Sequence, residues 1–332
     1  MRLRPHGVAL IGFAMAVTGC ATDPDVAEPN LGGGGGKGDG PNAARSMRLL
    51  QANVGNVDAG CFDYKFKLCD ARIEATLAKS IRAHDADVVA LQEVASLEQC
   101  QVRSELDPRR VCHPSVTAVV REQARRLVGD GYTIACDTRR HFECVAVKRT
   151  WGAIEGCPDG EFCIDTEVAE TAAPGAGCDE GFSVSAVRIA PKTAPAFRLV
   201  DLHPPSGSAV ECRRGQLVKV FEGDRALARG DRSLLTGDFN LDPFAGTDAS
   251  EKYLREHVGE GQSFRFHSGT AEQSPPLMSA FYTFPIADHT WDHVISNFAL
   301  GTCKTLGEAA GTNRLDGGFG TDHRGLLCQL TL

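Results

Sequence analysis

Nowhere among the 13 cysteines of this 332-residue chain do two stand in CxxC spacing. The usual ground for a structural zinc module is therefore missing. Positive charge is not in surplus: 35 Lys and Arg face 43 Asp and Glu, a formal net charge of −8. The chain as a whole has no pull toward nucleic acid or anionic lipid, so a polyanionic substrate has to be met by a local cationic patch or by bound metal. No internal repeat is evident, and no long apolar hairpin suited to entering lipid stands out. The N-terminal apolar run GVALIGFAMAV is about half the ~20 residues of a membrane-spanning helix.

That run has another use. MRLR supplies positive charge before it, and VTGC places small residues directly before Cys20. The order is that of an export signal, and VTGC resembles the bacterial lipobox, whose cysteine is lipidated. Residues 1–20 are read as a lipoprotein signal peptide. The Gly-, Pro- and Asp-rich stretch 21–45 is read as a flexible tether. The fold is expected to begin near Ser46 and run to Leu332. Without Cys20 the cysteines number 12, an even count, and several lie close in sequence: Cys61 and Cys69, Cys100 and Cys112, Cys136 and Cys144, Cys157 and Cys163. Such density fits disulfides in an oxidising compartment. Connectivity is not legible, apart from an expected Cys303–Cys328 pair between two C-terminal strands. The localisation that follows is an exported protein, lipid-anchored at Cys20 to the bacterial cell envelope, and expected to be a monomer.

From Ser46 onward, strands and helices alternate. MRLLQANV, DADVVALQEV, FECVAVKR, FSVSAVRIA, AFRLVDLH, SLLTGDFN, WDHVISNFAL and HRGLLCQLTL read as strands. ARIEATLAKSIRAH, SVTAVVREQARRLV and GQLVKVFEGDRALA read as helices, the first placing Ile73, Leu77 and Ile81 on one face. The Cys-rich stretch near 152–181 is read as a surface insertion without strands or helices. The expected class is α+β, with packed sheets and helices outside.

A polar residue of a catalytic type recurs where apolar strands end or begin: Asn53, Glu93, His203, Asp238 with Asn240, Asp292, and Asp322 with His323. Unpaired buried charge is expensive, so strand ends of this kind imply a shared site. Asp238 and Asn240 lie two apart, which in an extended backbone sends both side chains to one face while Phe239 packs inward. Arg139, Arg140 and His141, and Arg213 with Arg214, form short basic clusters that either touch phosphates of a long substrate or sit in solvated loops. Trp291 and Tyr282 flank a stretch that either lines the cleft or packs in the core, and His289 is read as a loop residue. FRFHSG and SAFYTFP are the aromatic-rich loops.

The order QANV, LQEV, DLHPP, GDFN, WDHVIS and TDH resembles the endonuclease/exonuclease/phosphatase (deoxyribonuclease-like) superfamily over nearly all of 48–332. The resemblance implies a four-layer α/β/β/α sandwich with two facing, mainly antiparallel sheets. It implies metal-dependent hydrolysis of phosphodiesters, most simply of nucleic acid, with a sphingomyelinase-like or other small phosphodiesterase as the alternative. Glu93, Asn53 and Asp322 are the implied metal residues, for Mg²⁺ or else Mn²⁺ or Ca²⁺, since carboxylates suit a hard cation. His203, Asp238, Asn240, Asp292 and His323 are the implied catalytic set: Asp238 aligning or deprotonating water, Asn240 on phosphate, His203 on phosphate or on the leaving oxygen, His323 as base or phosphate contact, and Asp292 orienting His323, with acid and base left unassigned between the two histidines. The family pattern usually has Asn where this chain has Asp201, and an aromatic where it has His293. A non-catalytic binding lipoprotein on the same scaffold is the alternative from another class.

Overall fold

The computed structural model describes residues 46–54, 71–94, 120–137, 143–164, 169–172, 178, 184–244, 246–268, 280–283, 286–306 and 323–332. The signal peptide with Cys20, the tether, Asp322 and the Arg139–Arg140–His141 cluster lie outside the described residues. In chain order come β1 (Ser46–Asn53), α1 (Ala71–Ala83), β2 (Val88–Gln92), α2 (Val120–Val128), β3 (Tyr132–Asp137) and β4 (Glu143–Lys148). Next are β5 (Gly152–Ile154), β6 (Phe162–Ile164), β7 (Ala169–Ala172), β8 (Val184–Pro191), β9 (Phe197–Leu202), α3 (Val210–Phe221) and β10 (Ser233–Asp238). Last are α4 (Ala249–His257), β11 (Arg265–Phe266), β12 (Ala280–Thr283), β13 (Ile286–His289), β14 (Asp292–Ser296), β15 (Leu300–Thr305) and β16 (Leu326–Thr331).

One sheet runs β15-β16-β1-β2-β4-β3-β6 and the other β11-β14-β10-β9-β8-β5, with β7 also on β8. Among the described pairings, β1–β2, β9–β10 and β3–β6 are parallel and the others antiparallel. β12 and β13 form a separate hairpin. Period-2 alternation sends each strand's two faces to different cores. Leu50, Val89, Leu91 and Ile134 pack outward against Leu77 and Ile81 of α1 and Leu127 of α2. Val200, Leu202 and Leu235 pack outward against Leu217 and Val220 of α3 and Leu254 of α4. Met47, Leu49, Val88, Leu199, Leu234, Val294 and Leu330 fill the space between the sheets. Each such buried side chain contributes roughly 1.5–3 kcal/mol. The result is the four-layer sandwich that the family resemblance implies. Among the described residues no helix is long and apolar enough to cross a membrane.

The same alternation positions the polar residues. Met47 and Leu49 face the other sheet, so Gln51 and Asn53 do too. The inward series continues from Val88 to Gln92, from Leu199 to Asp201, from Leu234 to Asp238 and from Val294 to Asp292. The facing surfaces are thus apolar in the middle and polar at one rim. Registers Asn53↔Gln92, Gly237↔Leu202 and Asp238↔Asp292 bring those ends level. β1, β2, β9 and β10 arrive at the rim with their C-termini, while the antiparallel β4 and β14 start there.

Two expectations change. The 152–181 stretch is not without strands: β5 pairs with β8, β6 with β3 and β7 with β8, so it extends both sheets. Pairing to an existing edge decides those strands, and three- or four-residue strands carry too little alternation to read alone. The third helix stops at Phe221, and Glu222 is already extended. The described disulfides are Cys136–Cys144, Cys157–Cys163, Cys178–Cys212 and the expected Cys303–Cys328, whose cysteines face each other across β15 and β16.

Candidate active site

Asp238 ends β10 because Gly237 lets β9 approach. A Cβ at Gly237 (φ +132°) would stand 2.0 Å from the Leu202 carbonyl oxygen. Asn53 Nδ2 donates to Asp238 Oδ2 and to Glu93 Oε1, both at 3.1 Å. Glu93 and Asn240 both have left-handed backbones, φ 59° and 50°, a conformation that costs a non-glycine residue energy and tends to mark functional sites. The route by which Asp238 and Asn240 meet therefore differs from the extended one expected. The strand ends at Asp238, and the turn at Asn240 brings its backbone N–H to Asp238 Oδ1 at 2.9 Å. Asn240 Nδ2 donates to the Pro204 carbonyl at 2.9 Å, tying this turn to the loop after His203. Phe239 is fully buried, as expected.

Two histidines face this carboxylate. His323 Nε2 lies 3.3 Å from Asp238 Oδ2, and its Nδ1 lies 2.8 Å from Asp292 Oδ2. His203 Nε2 lies 3.6 Å from Asp238 Oδ2 and 3.4 Å from Glu93 Oε1. On the other side of that ring, Nδ1 lies 3.8 Å from Glu143 Oε1. Burial pushes the Asp238 carboxyl up to about 7, and the nearby Asp292 charge adds to this. His323 and the hydrogen bonds from Asn240 and Asn53 pull the other way without cancelling it.

The structure thus brings together Asn53, Glu93, His203, Asp238, Asn240, Asp292 and His323, all implied by the sequence. It adds Glu143, which the sequence reading missed. The signal was the same polar residue at a strand junction, but Glu143 starts its strand where most of the others end theirs. Arg213 does not face the rim: its guanidinium is occupied by the carbonyls of Pro205 (3.1 Å) and Gly207 (2.8 Å) and by Asp248 Oδ2 (3.0 Å). It clamps the loop behind His203 to the start of α4. Arg214 lies over the Tyr253 ring. His289, read as a loop residue, ends β13 and stacks on Trp291 at 4.5 Å between centroids. Trp291 in turn lies 6.4 Å from the His323 ring. Two stretches read as loops contain strand: Arg265–Phe266 of FRFHSG form the edge strand β11, with Phe264 and Phe266 buried, and Ala280–Thr283 of SAFYTFP form β12. His293, in place of an aromatic, sits among Phe239, Phe244 and Phe266.

The donors suit a hard cation. Glu93 and Asp238 offer buried carboxylate oxygens beside the Asn53 amide, and oxygen-rich sets of this kind favour Mg²⁺, Mn²⁺ or Ca²⁺ over softer metals. Asp238, Asp292 and His323 also offer ligand atoms within 4.8 Å of one another. His323 Nδ1 is already taken by Asp292 Oδ2, however, and its Nε2 lies 3.3 Å from Asp238 Oδ2, so the ring stands between two carboxylates.

A profile described as the endonuclease/exonuclease/phosphatase family matches residues 50–323. No curated protein matches the chain. Among solved structures it is similar to D. rerio TDP2 complexed with single strand DNA product, at TM-score 0.52 and 13% identity over 86% of this chain and 99% of that one. It is similar to the human Nocturnin catalytic domain with bound sulfate anion, at TM-score 0.54 and 13% identity over 86% and 94%. ANGEL2, a 2′,3′-cyclic phosphatase, is similar at TM-score 0.51 and 12% identity over 86% and 95%. At such identities the likeness is one of fold.

Proposed function

Because the chain belongs to the endonuclease/exonuclease/phosphatase family, we propose that it is a metal-dependent phosphodiesterase, and within that class a nuclease working outside the cytoplasm. The observation that carries this reading is the convergence of Asn53, His203 and His323 on one buried carboxylate, Asp238. Burial raises this carboxyl above the ordinary range, which makes it a better acceptor for a proton from water. Asp238 orients and deprotonates the attacking water. His323, held through Nδ1 by Asp292, keeps Nε2 beside Asp238, where it would meet the phosphate. His203, whose ring lies between the Glu93 and Glu143 carboxylates, gives its proton to the leaving oxygen. Asn240 fixes the turn and contacts the phosphate. Glu93, Asn53 and Asp322 would hold Mg²⁺, with Mn²⁺ or Ca²⁺ as alternatives, and the cation supplies charge against the phosphoryl oxygens.

The decisive assay offers the purified chain plasmid, RNA, sphingomyelin and bis(p-nitrophenyl) phosphate, each with Mg²⁺, with Mn²⁺ and with chelator. Metal-dependent cleavage of nucleic acid is expected, and His323→Ala and Asp238→Ala should abolish it. Full activity in either variant sinks the assignment, and no cleavage of any substrate favours a binding lipoprotein.

One observation favours a second reading. The β12–β13 hairpin stands outside both main sheets and carries Phe281 and Tyr282 in sequence. Such a hairpin would suit a phospholipid substrate, and the sphingomyelin arm tests it. Export and anchoring at Cys20 are part of the proposal. VTGC and the disulfides support them, and mass spectrometry should find diacylglycerol on Cys20.

A further inference from the structure

Beneath the rim, buried polar side chains form one chain between the sheets. Gln51 Nε2 donates to Asp292 Oδ1 at 2.7 Å and to Gln92 Oε1 at 2.8 Å. Gln92 Nε2 donates to Asp201 Oδ1 at 2.8 Å. Gln51, Gln92 and Asp292 have no exposed surface and Asp201 is 3% exposed. The carboxylates at the two ends accept when ionised and cannot donate, which gives the chain one direction. Gln51 has to turn its nitrogen to Asp292. Its second N–H then falls to the Gln92 carbonyl, and the Gln92 nitrogen is left for Asp201. A buried polar network of this kind is costly, the more so as Gln51 Oε1 is buried without a hydrogen-bond partner. Its retention asks for a use.

The Asp292 end supplies one. Asp292 Oδ2 accepts from His323 Nδ1 at 2.8 Å. With Oδ1 fixed by Gln51, the carboxylate plane has one orientation, and the ring it holds keeps its proton on Nδ1 and its Nε2 toward Asp238. We propose that Gln51, backed by Gln92 and Asp201, is a positioning residue for His323, setting the Asp292 carboxylate that holds the ring. Asp201, the departure from the family pattern, is the acceptor that ends the chain, a task an asparagine oxygen can also perform. The use made of His323 rests on the phosphoesterase reading, whereas the state of its ring does not.

The test reads the ring directly. The full chain, ¹⁵N-labelled at histidine, should give a low-field Nδ1–H resonance that disappears in His323→Gln. In Gln51→Met, which keeps the volume and loses both donors, that resonance should broaden or vanish at unchanged circular dichroism. With bis(p-nitrophenyl) phosphate and Mg²⁺, kcat should fall about 10- to 100-fold with KM steady, the scale usual for residues that orient a reacting group. Asp201→Ala should weaken the resonance and Asp201→Asn should restore it. Should Gln51→Met fail to fold, Gln51→Asn, one methylene too short to reach Asp292, is read in the same way. An unchanged resonance in a folded Gln51 variant overturns the proposal. A wild-type chain inert toward the phosphodiester, with the resonance behaving as stated, leaves the positioning role standing and defeats the phosphoesterase reading.

Discussion

Glu143 faces His203 Nδ1 across 3.8 Å, on the opposite side of the ring from Glu93. The histidine is thereby held between acids from two neighbouring strands of one sheet while it belongs to the other. If Glu143 steadies a proton-bearing ring, Glu143→Gln should lower kcat toward bis(p-nitrophenyl) phosphate by about 10-fold or more. KM and thermal stability should change little. An unaltered kcat would assign Glu143 to packing alone.

Glu93 combines a left-handed backbone with a buried carboxylate held by Asn53. Glu93→Gln keeps the shape and removes the charge. It should raise the Mg²⁺ concentration for half-maximal activity by about 10-fold or more, and calorimetric titration of Mg²⁺ should weaken in parallel. Chelator should remove activity from the wild type, and Mg²⁺ should return it.

Gly237→Ala tests the approach of β9 to β10. Its Cβ would meet backbone, the Leu202 carbonyl at 2.0 Å, so no side-chain movement relieves it. A loss of at least ~3 kcal/mol in stability is expected, or failure to fold. Gly207→Ala is the control. It too has a positive φ, +70°, but nothing lies within 4 Å of its Cβ, so about 1–2 kcal/mol should be lost. Thermal melts of both variants decide the point.

Stability should fall on the acid side for a stated reason. Burial among phenylalanines holds the His293 imidazole below its ordinary value, against an opposing hydrogen bond to the Leu241 carbonyl. His267 is lowered in the same way, again by burial first. In the unfolded chain both titrate near about 6.5. Below that value the unfolded state binds more protons, so this stability is full above it and is lost as pH falls through the folded values. His293→Phe should flatten the acid limb of a plot of Tm against pH, and an identical slope in the variant would refute the assignment.

What could be read from the sequence follows from where each residue sits. Asn53, Glu93, His203, Asp238 and Asp292 were legible because each stands where an apolar strand ends or, for Asp292, begins, and the polar type has no packing explanation there. Gln51 and Gln92 carry no such mark. An amide within a strand reads as a solvated face, and only the second sheet shows that it is inside. The left-handed turn at Asn240 was hidden because a Gly-Asp-x-Asn stretch is compatible with both extended and turning backbone. Helix α4 was missed although its start was written out: Asp248 and Glu251 form a reciprocal capping box. Packed sheets with helices outside were legible from the strands and helices, and the four-layer sandwich from the family resemblance, whereas β5 to β7 depended on edges that no local pattern describes.

Cys212 stands one residue before Arg213, whose guanidinium clamps the loop behind His203. The Cys178–Cys212 bond closes a sequence separation of 34 residues, and in a chain-entropy account a closure of that size contributes about 3–4 kcal/mol. Oxidation of the chain and completion of the rim are therefore joined at adjacent positions on one helix. For the proposed phosphodiesterase activity, the redox history of a preparation should then count alongside its metal content when specific activities are compared.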